Sequence, residues 1–495
     1  MRKSSLLLLS ICFLSSFFAC SEEGEINAYN TIETKHLMVN GKPFLMLGAQ
    51  LRTDFFLGLD NKKPDELAPY FELAAKMNVL VVQVPVAWSD VEVEKDIYNT
   101  ELVEKYIELC DRYQLKLEIL WFGSYMCGIS VGGYIPDYVE NNNSTYPELN
   151  PDADYIADDV GGWFGKRWWL KPNTPALVER ESKALKQMMD AIYHYDSSHG
   201  QKHTVIGIQV ENEPDILATR FNQDHGYTPE QIWPDLISML DQLGQVVKNS
   251  PYDCYTRVNQ TNPYPDYMER SAEIAATAGI DYVGLDPYQN KLSQIDSNLR
   301  RLRKIKDNYG HIAENGGEFV NNDLLTLKAL SLGCGYEIFE VITSTSPKLE
   351  ARGLTIRGVY NPDFTPKPHT QRIVDAFKIF KGAWVDLASA DAKDIIGFNL
   401  KHDDGLNQTS EYQNTTHAGI KWSTGSRGVA FAVERNNYLV VASTQNDQMT
   451  FRNIQIKNIE KGYYDINGNW VSDGKMTPTG NQLSLEPCIV YKIQF

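Results

Sequence analysis

Cations are scarce in this chain. It carries 47 Lys and Arg against 64 Asp and Glu, a formal net charge of −17 over 495 residues. Binding to nucleic acid or to an anionic membrane surface needs clustered Lys and Arg that neutralise phosphates. No such cluster occurs, and no nucleic-acid partner is expected. Cysteine is scarce too, with seven residues and no CxxC spacing. Cys12 and Cys20 sit near the N-terminus, which leaves Cys110, Cys127, Cys254, Cys334 and Cys488 in the body. An odd number without paired spacing argues against a disulfide framework and a zinc site, so these read as core thiols. His203 and His311 read as ordinary strand-edge residues, no His/Asp spacing marks a metal centre, and no cofactor is expected. Beyond the N-terminus no apolar run is long enough to cross a bilayer, and there is no repeat or low-complexity tract. What is present is ordinary globular composition, 42% hydrophobic and 22% charged, with chain enough for two or three domains.

The N-terminus is the exception to the lack of long apolar runs. Arg2-Lys3, an apolar stretch from Leu6 to Phe18 and then Ala19-Cys20 form a positive segment, a hydrophobic segment and a small-residue processing site, the pattern of an export signal. It resembles a bacterial lipoprotein signal. That resemblance implies lipidation at Cys20, a signal peptide over 1–20, a tether over 21–33 and anchoring in the outer membrane. Ser21-Glu22-Glu23-Gly24-Glu25 resembles the acidic tether of some surface lipoproteins of the Bacteroidetes. The box Phe17-Phe18-Ala19-Cys20 departs from the usual pattern, so cleavage to a soluble exported protein stays open.

Eight short apolar runs bounded by turn residues follow: Phe44 to Ala49, Val79 to Val84, Lys116 to Leu120, Val205 to Val210, Cys254 to Val258, Tyr282 to Leu285, His311 to Ala313 and Tyr336 to Val341. Helical patterns separate most of them, including Pro64 to Met77, Thr100 to Tyr113 and Ala176 to Tyr195. The last is opened by Asn173-Thr174-Pro175, a cap followed by proline at the first helical position. Eight strands alternating with helices predict an α/β fold, a (β/α)8 TIM barrel over residues 34–390. The stretch between strands three and four is far longer than one unit needs and contains Gly132-Gly133-Tyr134, Trp163, Trp168 and Trp169. It reads as a long loop on the active-site face, with its tryptophans either stacking on sugar or pinning the loop. After a helix from Gln371 to Leu387 the pattern changes to short alternating strands, which predict a C-terminal all-β sandwich over 391–495.

Two of the eight strands end in carboxylates. Val205-Ile206-Gly207-Ile208-Gln209 runs into Val210-Glu211-Asn212-Glu213-Pro214, where the proline stops the ladder. His311-Ile312-Ala313 runs into Glu314-Asn315-Gly316-Gly317-Glu318. Glu213 and Glu314 lie 101 residues apart, about three βα units at roughly 30 residues each, which puts them on strands four and seven. Ligands of a parallel barrel bind at that end of the strands. Two carboxylates there suit hydrolysis of a glycosidic bond, one as acid/base and the other as nucleophile or as the base that activates water. Glu211 has the period-two relation to Glu213 and is its rival. Glu318, beyond two glycines, is the rival of Glu314 and a candidate substrate contact. Trp88 and Trp121 end strands two and three and read either as flat platforms for a sugar ring or as ordinary core packing.

Gln209-Val210-Glu211-Asn212-Glu213-Pro214, Leu120-Trp121-Phe122-Gly123-Ser124-Tyr125, Val86-Ala87-Trp88 with Glu92, and Asp286-Pro287-Tyr288 together resemble the retaining clan-A glycoside hydrolases, closest to the β-galactosidase-like families 35 and 42. The resemblance implies that Glu213 is the acid/base, Glu314 the nucleophile, Asn212 the ligand of the substrate 2-hydroxyl and Tyr288 a hydrogen-bond partner of the nucleophile. It departs at strand one, where Gly48-Ala49-Gln50 replaces a frequent Glu. It departs again at strand eight, where no Trp occurs and Phe339 or a loop Trp is the expected substitute. The function expected is an exported retaining β-glycosidase acting on carbohydrate, β-galactosidase-like first, an endo-acting β-galactanase or β-mannosidase next. The reading from another class is a non-catalytic glycan-binding surface protein.

Overall fold

A computed structural model describes residues 34–58, 60–149, 167–219, 226–261, 267–345, 357–400, 412–414, 419–421, 428–451, 454–478 and 480–495. The lipoprotein-type signal, Cys20, the tether and Trp163 lie outside these residues, as does the side chain of Trp168.

Each of the eight apolar runs is a strand of one closed parallel barrel. In chain order they are β1 (Leu47–Gln50), β2 (Val81–Ala87), β3 (Lys116–Met126), β4 (Val205–Asn212), β5 (Tyr255–Thr261), β6 (Tyr282–Asp286), β7 (His311–Gly316) and β8 (Gly335–Phe339). Helices cover the outside: α1 (Ala68–Lys76), α2 (Glu101–Tyr113), α3 (Pro175–Ser198), α4 (Pro229–Lys248), α5 (Tyr267–Ala275), α6 (Leu292–Leu302), α7 (Asn322–Ser331) and α8 (Thr370–Gly382). Strands covered on both faces need unbroken apolar character rather than alternation, which is why Val-Val-Gln-Val-Pro-Val-Ala of β2 is buried throughout. The helix predicted from Thr174 begins as expected at Pro175, but Thr174 makes no side-chain cap. Its hydroxyl donates instead to the Lys171 carbonyl at 2.9 Å.

The barrel interior holds charge. Arg257 of β5 donates to Glu118 of β3 and lies 3.5 Å from Glu337 of β8, all of them fully buried. Gln83 of β2 donates to Glu118 at 2.6 Å, and His311 Nε2 stands 3.1 Å from Glu337. His311 is thus no strand-edge residue; burial and the Arg257 charge hold its pKa well below the usual value. Gly48 belongs to the same layer, because a Cβ there would meet Glu337 Oε1 at 2.5 Å.

The C-terminal residues form two antiparallel sheets. One has six strands in the order β9 (Ile395–Leu400), β12 (Gly428–Glu434), β13 (Tyr438–Ser443), β18 (Ile489–Gln494), β15 (Asn458–Tyr464) and β16 (Trp470–Met476). The other has four, in the order β10 (Tyr412–Asn414), β11 (Gly419–Lys421), β14 (Asp447–Thr450) and β17 (Gln482–Leu485). Ala430, Ala432, Leu439 and Val441 of the larger sheet share a core with Met449, Leu483 and Leu485 of the smaller. The alternate residues Val429, Phe431 and Val433 belong instead to the core of the barrel, with Phe431 5.9 Å from Phe380 of α8. A period-two strand with both faces covered explains why β12 is buried at all but its last residue.

Candidate active site

The β3–β4 pair builds the site by breaking its own ladder. Val210 pairs with Trp121 and Asn212 with Met126, so the residues from Phe122 to Tyr125 have no regular partner across the pair. The N–H groups of Ser124 and Tyr125 donate to the Glu211 carboxylate at 2.9 and 2.8 Å. Such a bulge re-aims the side chains that follow it. Glu211 and Glu213 both adopt positive φ, 62° and 45°, an uncommon backbone region for non-glycine residues that costs energy and clusters at functional sites. The bend overrides the period of two that made Glu211 a rival of Glu213. Glu211 is fully buried against Glu181 of α3, and burial and the Glu181 charge push its pKa well up. Glu213 turns into the cavity at the C-terminal ends of the strands.

That cavity, of about 370 Å³, is lined by Gln50, Arg52, Phe55, Phe122, Cys127, Asn212, Glu213, Thr261, Asp286, Pro287, Tyr288, Glu314, Phe339, Glu340, Ser344 and Arg357. Four of the expected site residues meet there: Asn212, Glu213, Tyr288 and Glu314. Asn259 of β5 ties them together. Its Oδ1 accepts the Glu213 N–H at 2.9 Å, and its Nδ2 donates to Asn212 at 3.0 Å and to Asp286 at 2.6 Å. Gln209 donates to the same Asn212 oxygen at 3.1 Å. With its oxygen doubly held, Asn212 turns its amide nitrogen to the sulfurs of Met126 and Cys127, at 3.9 and 3.5 Å.

On the other side of the cavity the Tyr288 hydroxyl donates to Glu314 Oε2. Burial pushes the Glu314 carboxyl above its usual range, while the Tyr288 hydrogen bond and the charges of Arg52, Arg257 and Arg357 pull it back. Burial, then the charges of Glu314 and Glu213, drive Asp286 well above the usual carboxyl range. Burial likewise lifts Glu340 to about 7 against the opposing charge of Arg52. Carboxyls crowded in one dry cavity cannot all ionise, so the site holds protonated and charged carboxyls side by side.

The remaining expected residues lie elsewhere. Trp88 and Trp121 are fully buried and line no part of the cavity. Trp88 Nε1 donates to Glu92 at 2.9 Å and Trp121 Nε1 to Glu181 at 2.8 Å. Both indoles are core residues and not sugar platforms: each needs a partner for its N–H once buried, and a carboxylate behind the strand supplies it. Gly123 is required here, since a Cβ would run into the Glu181 carboxylate. Glu318 does not line the cavity, and burial raises its pKa. Trp169 is buried, which fits the reading that loop aromatics pin the loop. Phe339 does line the cavity, 5.9 Å edge-on from Tyr288.

The sequence pattern gave no role to Gln50, Arg52, Cys127, Asp286, Glu340 or Arg357. Asp286 ends β6 immediately before Pro287, much as Glu213 follows the last residue of β4 and precedes Pro214, so the same carboxylate-proline pattern marks it in the sequence. Cys127 was read as a core thiol; it adjoins Glu213, and burial together with that carboxylate raises its pKa well above the usual thiol value. Among the described residues no cluster of His, Cys, Asp and Glu could hold a metal ion.

Comparison with known proteins places this geometry among similar folds. A family model described as a domain of unknown function, DUF4978, matches residues 236–405. This is less than half of the chain; it includes Asp286, Tyr288, Glu314 and Glu340 but not Glu213. None of the curated proteins matches the sequence. Among solved structures, the β-galactosidase from Rahnella sp. R3 is similar over 72% of this chain and 59% of its own, at 14% identity and a TM-score of 0.52. The exo-β-1,4-mannosidase from Opitutaceae bacterium strain TAV5 is similar over 72% of this chain and 62% of its own, at 13% identity and a TM-score of 0.49. A family 39 glycoside hydrolase from Bacteroides cellulosilyticus WH2 covers 90% of this chain and 80% of its own, at 12% identity and a TM-score of 0.46. The chain thus spans less than two thirds of the galactosidase and of the mannosidase. The likeness to the galactosidase is one of fold.

Proposed function

We propose that this protein is a glycoside hydrolase that cleaves β-linked sugars with retention of configuration. Glu314 attacks the anomeric carbon while Glu213 protonates the leaving oxygen; Glu213 then takes a proton from water, and that water displaces Glu314 from the sugar. Asn212 holds the 2-hydroxyl, and Tyr288 keeps Glu314 oriented and charged. The observation that carries the reading is the meeting of the β4-end and β7-end carboxylates in one cavity, with a tyrosine hydroxyl on the second. The similar fold of the β-galactosidase from Rahnella sp. R3 supports the reaction class. A β-galactoside is the first substrate to test. We further propose export and a lipid anchor at Cys20, on the N-terminal sequence alone.

The test uses aryl β-glycosides. Glu213→Gln is expected to lower kcat/KM by about 10²- to 10⁴-fold for glycosides with poor leaving groups, and by much less when the leaving group needs no proton. Glu314→Gln is expected to abolish turnover of both kinds. Full turnover by either variant on a poor leaving group would remove that residue from the mechanism. Binding of glycans by a wild type that cleaves none would favour the glycan-binding reading.

A further inference from the structure

We infer that the sugar bound in this cavity carries an anionic group, a carboxylate or a sulfate ester, received by Arg357. The inference rests on the glycosidase reading and concerns what that same site selects. Among the described residues, the guanidinium-bearing side chains that line the cavity are Arg52 and Arg357. Arg52 is committed, bonding both oxygens of Asp54 at 2.9 and 2.6 Å and lying 3.8 Å from the Phe55 ring centroid. Arg357 is not. Its guanidinium carbon sits 4.1 Å over the Tyr288 ring and 5.7 Å from the centroid of Phe339. Among the described residues nothing accepts a hydrogen bond from its side chain or pairs with it; Glu318, Glu314 and Glu213 act on it only through space.

A guanidinium cannot shed its proton, and a partly buried cation without a partner is costly. Stacking on Tyr288 covers one face and leaves the in-plane N–H fork for a planar oxyanion. Two neighbours on the wall are unsatisfied as well. Both side-chain amide atoms of Gln50 and the Oδ1 atom of Asp286 are buried without a hydrogen-bond partner. Sugar hydroxyls can satisfy those neutral groups, but the charge of Arg357 calls for an opposite one. Burial lifts Asp286 and Glu340 towards their protonated forms, so the wall repels an anion less than its count of carboxyls implies.

Matched aryl β-glycosides test this: a neutral hexoside, the corresponding hexuronide and the 6-sulfated hexoside, assayed with wild type, Arg357→Gln and Arg357→Lys. One anionic arm is expected to exceed the neutral arm in kcat/KM, and which arm does so identifies the group. Arg357→Gln is expected to lower the anionic-to-neutral ratio by about 10- to 100-fold, and Arg357→Lys to recover part of it, having the charge without the fork. A wild type that prefers the neutral arm, with a ratio unchanged in Arg357→Gln, overturns the inference and leaves the glycosidase reading standing. If no arm turns over, titration calorimetry with free hexuronic acid, hexose 6-sulfate and hexose decides. Anion binding lost in Arg357→Gln supports the inference although the hydrolase reading fails, and equal binding of the neutral sugar overturns it. If Arg357→Gln does not fold, the wild-type preference and the Arg357→Lys ratio decide alone.

Discussion

Tyr288 is where a single hydrogen bond has the largest readable consequence. Its hydroxyl donates to Glu314 and favours the charged carboxylate, opposing the burial that favours the neutral acid. A nucleophile must be ionised, so activity is present above the pKa of Glu314 and falls as pH drops through it. Tyr288→Phe removes a group that lowers that pKa. The acidic limb of kcat/KM is therefore expected to move to higher pH, and a pH–rate profile with an unmoved acidic limb would contradict the role given to the tyrosine. Asn212 and Tyr288 followed only from the family resemblance, whereas Glu213 and Glu314 were legible in the sequence because each carboxylate stands at a strand end with a proline or glycines shortly after it. Arg52, Glu340 and Arg357 were not. They come from the segments after β1 and β8, whose approach to the cavity is fixed by barrel closure rather than by local pattern.

At the scale of elements, the bulge between β3 and β4 and the network behind it explain what the tryptophans do. Strand-end position alone leaves Trp88 and Trp121 open to either a sugar-facing or a core role, and the positive φ values that turn the chain leave no mark in the residue types of Glu211 and Glu213. The four-residue helix Trp88–Val91 ends at Glu92, which Trp88 holds from one side. Tyr138 of the long loop donates to the same Glu92 oxygen, Oε2, and Arg180 of α3 pairs with Oε1. Arg180 also reaches Asp96 at 2.7 Å and the Tyr138 hydroxyl at 3.0 Å. Removing one partner of a buried pair leaves the other charge uncompensated. Arg180→Met is expected to cost about 3–5 kcal/mol of stability on that account, measured as a lower denaturant midpoint. An unchanged midpoint would show that the network does not hold the loop to α3.

For the whole molecule, the reading of eight strands and a β-rich C-terminus succeeded because apolar runs and their spacing survive without any knowledge of side-chain contacts. What those patterns did not reveal is that β12, inside the larger C-terminal sheet, has both faces covered. Phe431 packs on Phe380 of α8, and Leu327 of α7 lies against Gly397 of β9. Phe431→Ala is expected to destabilise the protein by roughly 3–5 kcal/mol, as for other large core truncations; a loss under about 1 kcal/mol would mean that the sheet and the barrel contribute little to each other's stability. The central claim is that Glu314 forms a covalent bond to the sugar. A 2-deoxy-2-fluoro β-glycoside with a good leaving group slows the second step and allows the intermediate to accumulate. Mass spectrometry of the digested protein is predicted to find the fluorosugar on the peptide containing Glu314. A label on the peptide bearing Glu211, or turnover that inverts the anomeric centre with no label anywhere, would contradict it.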